Sequence, residues 1–260
     1  MKTIGILGGM GPAATVDLFD RIVRATPARR DQDHIPILIV NDPSVPDRSG
    51  AILHGGPDPR PVMAAGIAKL AQIGADFIVI PCNTAHHYLP DLQTASPIPI
   101  LDMIQETVQA VLRQAPHTQR KYHGENLAVF SPEETVDEFP PGSTRARRVG
   151  ILATSGTLAV GLYQRALEAE GLEPVEPDAE VLELIMAGIY GPQGVKAGGS
   201  LDEAHRLFVQ AGQALMDRGA QALILGCTEI PLALQAGDLP VPIIASNQAL
   251  AEAAVREALG

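Results

Sequence analysis

Cys82 and Cys227 are the two thiols of a 260-residue chain. Cys82 lies in Ile80-Pro81-Cys82-Asn83-Thr84-Ala85-His86 and Cys227 in Leu225-Gly226-Cys227-Thr228-Glu229. Each follows an apolar run and precedes a hydroxyl residue, so each sulfur is expected at a strand-to-helix turn. Helix N-terminal amides there favour a thiolate. A lone buried cysteine is ordinarily just a small hydrophobe. Two at equivalent turns are better explained by chemistry. A facing pair suits proton exchange at carbon: one sulfur, as thiolate, removes a proton from one face while the other, as thiol, delivers one to the opposite face. Swapping the roles runs the reaction backwards, as a racemase or epimerase requires. Ordinary thiols, with a pKa near ~8.5, are only a few per cent ionised at neutral pH, so the turns must select a thiolate. The two sites should then titrate as a coupled pair. A disulfide redox pair is the competing use, but C-x-x-C is absent and the cysteines fall in separate halves.

Other segments could hold a small anion beside these thiols. Gly8-Gly9-Met10-Gly11-Pro12 follows the first apolar run. It formally matches the dinucleotide fingerprint G-x-G-x-x-A, but the acidic residue expected at the end of the second strand comes about ten positions late, at Asp42. The glycines read better as a close backbone approach to a carboxylate, with amides as donors. Arg48 closes the loop from Asn41, and Lys196 follows Tyr190 on a second Gly-rich loop. Both loops are expected on the cleft side, where a side-chain carboxylate needs a cation. His86 and His87 could orient the Cys82 turn or simply cap it. No H-E-x-x-H or comparable ligand spacing suggests a metal, and no lysine carries a pyridoxal phosphate signature.

The elements that must position these groups alternate. Continuously apolar runs at 3–7, 35–40, 77–80 and 98–101 read as buried parallel strands. Helices are expected over 12–24, 60–73, 85–93 and, capped by Asp102, up to 114. The second half repeats the alternation, with strands at 149–152, 172–175, 222–225 and 241–245. Its helices are expected from 153 to 170, over 179–188, after a Ser200/Glu203 capping box, and over 248–259. This pattern is α/β with parallel sheets. Gly5-Ile6-Leu7 recurs as Gly150-Ile151-Leu152, and Gly74-Ala75, Ile78 and Cys82 recur as Gly219-Ala220, Leu223 and Cys227. One offset of 145 relates every pair (150 − 5 and 227 − 82), which indicates two copies of one doubly wound unit. Residues 1–113 and 149–247 are therefore expected as two pseudo-symmetric domains, with the closing helix 248–260 packing back on the first. Residues 114–148, rich in Pro, Gly and charge, read as a linker or insertion, with a short strand at 127–130. Ligands in such sheets bind at the carboxyl ends of strands, where both cysteines fall.

Composition bounds the rest. Two cysteines exclude a disulfide-stapled scaffold and a Cys-rich metal site. The N-terminal apolar run is too short for a signal peptide, and no stretch approaches the roughly 18 apolar residues of a membrane span. A cytoplasmic enzyme is expected. The formal charge of −11 repels nucleic acid and anionic membranes but leaves room for a small anion beside a local cation cluster.

Gly5-Ile-Leu-Gly-Gly-Met-Gly-Pro12, Pro81-Cys-Asn-Thr-Ala-His86 and Gly226-Cys-Thr-Glu229 resemble the signatures of the cofactor-independent aspartate/glutamate racemase superfamily, and most closely those of its aspartate racemases. The resemblance spans nearly the whole chain. It implies that Cys82 and Cys227 are the acid/base pair, with no pyridoxal phosphate or metal. It also implies that Met10, Asn83, Thr84 and Thr228 bind the α-carboxylate region, that Arg48 and Lys196 grip a second carboxylate, and that the protein is a homodimer. Glutamate racemases usually carry an acidic residue beside the first-strand glycines. Gly8-Gly9-Met10 has none, which points to aspartate. The link between the halves is longer than in typical members. Maleate isomerase, hydantoin racemase, a glutamate or broad-specificity racemase, and a non-catalytic ligand-binding protein are the competing readings. Arg48 with Lys196 favours a dicarboxylate, and binding alone does not call for two thiols.

Overall fold

A computed structural model describes residues 1–113 and 147–260. The first sheet contains β1 (Ile4–Gly8), β2 (Ile37–Asn41) and β3 (Phe77–Val79), all parallel, in the order β2-β1-β3. The second contains β4 (Arg148–Ala153), β5 (Glu173–Val175), β6 (Ala222–Gly226) and β7 (Ile243–Ala245), also parallel, in the order β5-β4-β6-β7. The order β2-β1-β3 corresponds to β5-β4-β6, as the 145-residue offset predicts, and β7 is added at the edge of the second sheet. A Cβ on Gly5 would meet Ile78 at 2.8 Å and Ala75 at 2.9 Å, and one on Gly150 would meet Leu223 at 2.5 Å and Ala220 at 3.1 Å. The repeated glycines are thus where each central strand is pressed by the same two positions of its neighbouring segment.

The helices are α1 (Pro12–Ala25), α2 (Arg48–His54), α3 (Arg60–Gln72), α4 (Leu89–Ala95) and α5 (Met103–Arg113) in the first half. The second half has α6 (Ser155–Ala159), α7 (Leu162–Ala169), α8 (Ala179–Tyr190), α9 (Leu201–Asp217) and α10 (Ser246–Leu259). On the first unit, Met63, Ile67 and Leu70 of α3 and Leu92 of α4 pack beneath Leu7 and Ile78. The core on its other face joins Ile4, Ile6, Leu18 and Ile22 to Leu250, Ala251, Ala254 and Val255 of α10. The alanines let α10 lie close against α1, so the chain's last helix returns from β7 to the first sheet.

Several local expectations give way to side-chain and proline chemistry. The strand expected at 98–101 reduces to a single parallel bridge between Ile78 and Ile100. Pro97 and Pro99 have no N–H to donate, so the ladder cannot extend. The helix expected up to 170 breaks at Gly161, which has φ +62°, separating α6 from α7. The loop after β2 is shorter than expected, because Asp47 caps α2 by accepting from the Gly50 N–H and Arg48 opens the helix. The helix expected over 85–93 starts as a 3-10 turn, Thr84–Tyr88. Ser200 occupies the N-cap of α9 without a side-chain bond, and Glu203 pairs with Arg206 instead of closing a capping box. Residues 114–146 of the expected linker 114–148, with the strand expected at 127–130, lie outside the described residues, and Arg148 opens β4.

Gly9 ties the first-strand loop to the second. Its φ is +98°, and a Cβ there would sit 2.4 Å from the Asp42 backbone. Gly9→Ala is therefore expected to lower stability by at least about 1–3 kcal/mol. The check is the thermal unfolding midpoint, and an unchanged midpoint would contradict the close approach.

Candidate active site

Cys82 and Cys227 stand just beyond the carboxyl ends of β3 and β6, which are equivalent strands of the two sheets. Both are buried free thiols. Each leads into a 3-10 turn, Thr84–Tyr88 in one half and Ile230–Leu232 in the other. Neither turn is an α-helix, so the dipole expected beside the sulfurs is weak, and other groups must set their protonation.

One small cavity gathers Met10, Arg48, Cys82, Asn83, Thr84, Lys196, Cys227 and Thr228. These are the eight residues singled out from the sequence, drawn from five separate segments. Thr154, Tyr190 and Glu229 complete the wall. The space is about 10 Å³, room for roughly one water molecule, so an amino acid enters only when the walls part or side chains move. A groove of about 780 Å³ lies elsewhere, between α1 and residues 231–236, and neither cysteine lines it.

The two turns are held by bonds that cross between the halves. Tyr163 OH donates to Asn83 Oδ1 at 2.5 Å, and Asn83 Nδ2 donates to Ser246 Oγ at 3.0 Å. Thr84 Oγ1 lies 2.8 Å from Thr157 Oγ1 and 3.2 Å from Thr154 Oγ1. Thr228 Oγ1 has one proton and two acceptors at 3.3 Å, the Pro81 carbonyl and Glu229 Oε2, which share it. The side chains of Asn83 and Thr84 are thus engaged with protein partners in this closed arrangement. His86 orients the Cys82 turn: its Nε2 accepts from the Met103 N–H at 3.1 Å, which leaves Nδ1 as the donor to the Cys82 carbonyl at 2.9 Å. The first-strand loop offers fewer free amides than expected, because the Gly9 N–H donates to Thr15 Oγ1 at 3.1 Å.

The cations are partly committed. Arg48 Nη1 donates to the carbonyls of Val45 and Pro46, and Nη2 donates to that of Met10 at 2.9 Å. Its Nε–H is buried with no partner. A guanidinium has five N–H donors, so two remain. Burial pulls the Arg48 pKa down, but the neighbouring Cys82 sulfur, Asp47 and Tyr190 outweigh it and the net shift is upward. Lys196 Nζ donates to Glu229 Oε1 at 2.5 Å and lies 5.6 Å from the centre of the Tyr190 ring. Burial disfavours its charge, yet Glu229 and Cys227 raise its pKa overall, so it stays an ammonium with donors to spare.

Glu229 is the residue that sequence reasoning quoted but did not assign. Its Oε2 accepts from Cys227 Sγ at 3.1 Å and from Thr228 Oγ1 at 3.3 Å. Burial and the Glu229 charge push the Cys227 thiol well above its ordinary pKa, against a smaller opposing pull from Lys196. A signal was available: by the 145 offset Glu229 corresponds to Thr84, so the repeat breaks at the position two residues after each cysteine. Tyr163 and Ser246 carried no comparable signal, since their partners lie far away in sequence. Among the described residues, no group of three or more His, Cys, Asp and Glu side chains could hold a metal ion. No described helix is long and apolar enough to cross a membrane.

The family model for Asp/Glu/hydantoin racemase matches residues 7–139 and 129–254. The chain belongs to this racemase family. It is 26% identical over 258 residues to the broad specificity amino-acid racemase RacX of Bacillus subtilis, covering 97% of this chain and 96% of that one. It is 29% identical over 186 residues to the glutamate racemase of Latilactobacillus sakei, covering 65% of this chain and 52% of that one. Among solved structures, the aspartate racemase of Picrophilus torridus superposes with a TM-score of 0.78 at 27% identity, covering 99% of this chain and 94% of that one. The racemase-family chain is thus an isomerase of amino-acid-sized molecules.

Proposed function

We propose that this racemase interconverts L- and D-aspartate by two-base proton exchange between Cys82 and Cys227. The observation that carries the reading is the meeting of the two thiols, from equivalent strand ends of two pseudo-symmetric units, at one cavity that also holds Arg48 and Lys196. One sulfur removes the Cα proton as thiolate while the other, as thiol, protonates the opposite face of the carbanion. The α-carboxylate region falls to Met10, Asn83, Thr84 and Thr228, through backbone donors and through hydroxyls released as the site opens. The second carboxylate falls to the unspent donors of Lys196 and Arg48. No resident cofactor or metal takes part in this scheme. A homodimer and a cytoplasmic location belong to the same reading, carried by the family resemblance and the composition.

A second reading is a broad-specificity amino-acid racemase, favoured by the near full-length likeness to the Bacillus subtilis protein. Chiral chromatography of aspartate, glutamate and alanine incubated with the enzyme separates the two. Aspartate should turn over fastest, and a faster reaction with alanine would favour the second reading. Lys196→Met should lower kcat/KM for aspartate by roughly 10- to 100-fold more than for alanine, the worth of a charged hydrogen bond of about 1.5–3 kcal/mol. Equal losses on both substrates would remove Lys196 from the recognition of the second carboxylate.

A further inference from the structure

The two cysteines occupy equivalent places in the repeat, but their charged neighbours differ. Cys227 Sγ lies 3.1 Å from Glu229 Oε2. A carboxylate can only accept, so the sulfur must carry the proton in this bond. The other oxygen of Glu229 accepts at 2.5 Å from the Lys196 ammonium, so the carboxyl group is an acceptor on both sides. Cys82 has no carboxylate at the equivalent position, where the chain has Thr84. It has instead the Arg48 guanidinium, with a buried and unpartnered Nε–H.

We propose that Glu229 is a positioning residue that keeps the proton on Cys227, so that Cys227 is the proton donor of the ligand-free enzyme and Cys82 the proton acceptor. The inference rests on the two-base reading above and assigns the starting protonation that the pseudo-symmetry alone leaves open. The cycle balances in protons. Cys82 takes the Cα proton, Cys227 gives its thiol proton to the opposite face, and a thiolate is left facing the Glu229 carboxylate. Like charges at that distance make the Cys227 thiolate a strong base, so it takes up a proton while Cys82 releases one to solvent, or it removes the Cα proton of the opposite enantiomer while the Cys82 thiol gives its proton back.

The groups around Cys227 make the sign of the effect readable. Glu229 stands on its own turn, Lys196 on the 3-10 turn Val195–Ala197, Tyr190 at the end of α8 and Tyr163 on α7. Cys82 and Arg48, from the other half, line the same cavity. Burial raises the pKa of both tyrosines, so they remain neutral phenols. Glu229, Lys196 and Arg48 are left as the neighbours that bear on its protonation.

Because the chain has two cysteines, Cys82→Ser leaves Cys227 as its one thiol. Thiolate absorbance near 240 nm, read as a difference from the Cys82→Ser/Cys227→Ser double variant, then reports Cys227 across pH in the ligand-free protein. The titration midpoint should lie above the ordinary thiol range. Adding Glu229→Gln should lower it enough to raise the thiolate fraction tenfold or more at a given pH below the midpoint, whereas adding Lys196→Met should raise it. A midpoint unmoved or raised by Glu229→Gln, or lowered by Lys196→Met, would overturn the assignment. The wild-type enzyme's racemisation is read separately. Inactivity on every amino acid alongside the expected titration would refute the proposed reaction and leave the Glu229–Cys227 coupling standing.

Discussion

Cys82→Ala and Cys227→Ala should each slow aspartate racemisation by about 10²- to 10⁴-fold, the usual contribution of one positioned acid or base. The losses should not be equivalent in kind. In D₂O, a variant that keeps one sulfur can still remove and return a proton on its own face, so it should exchange the Cα hydrogen of one enantiomer with retention. The other variant should exchange the opposite enantiomer. Proton NMR of L- and D-aspartate incubated separately with each variant reads this directly. Racemisation at the wild-type rate in either variant would remove that cysteine from the reaction. The two sulfurs lie beyond β3 and β6 and both line one cavity.

The largest effect on stability is expected at Tyr163. The side chain is fully buried in the core of the second unit beside Val108 and Val111 of α5. It is packed so tightly on β6 that a Cβ at Gly226 would lie 2.7 Å from its ring. Tyr163→Ala should cost about 3–5 kcal/mol through lost burial and the cavity left behind. Tyr163→Phe keeps the ring and removes only the hydroxyl. It leaves the buried Asn83 Oδ1 without its 2.5 Å donor, at a cost of about 1–3 kcal/mol. Because Asn83 adjoins Cys82, the Phe variant should also lower kcat, while the Ala variant should show chiefly as a lower midpoint in urea or thermal unfolding. A Phe variant with wild-type stability and kcat would show that this bond does not steady the Cys82 turn.

The sequence made the architecture legible because buried parallel strands are continuously apolar and because the 145-residue repeat is carried by glycines with a packing reason, Gly5 and Gly150. The same repeat located both cysteines at strand ends. Prolines and turn geometry were harder to read. Pro97 and Pro99 stop a fourth strand in the first sheet, Gly161 splits an expected helix, and Asp47 turns an expected loop into the start of α2. At the site, residue types pointed to segments that meet at one cavity but not to their hydrogen bonds. Arg48 and Lys196 read as free cations, yet Arg48 spends three donors on backbone carbonyls and Lys196 is paired with Glu229. Tyr163, Ser246 and Thr157 touch the cysteine turns only through chain crossing, which local pattern does not encode.

Two-base proton exchange at Cα of aspartate is decided by following early turnover in D₂O with no cofactor added. L-aspartate should give D-aspartate that carries deuterium at Cα from the first product formed, while the remaining L-aspartate keeps its hydrogen, and D-aspartate should behave as the mirror case. Product that retains the substrate's own hydrogen, or equally rapid exchange in unreacted substrate, would mean that a single base serves both faces and would contradict the account.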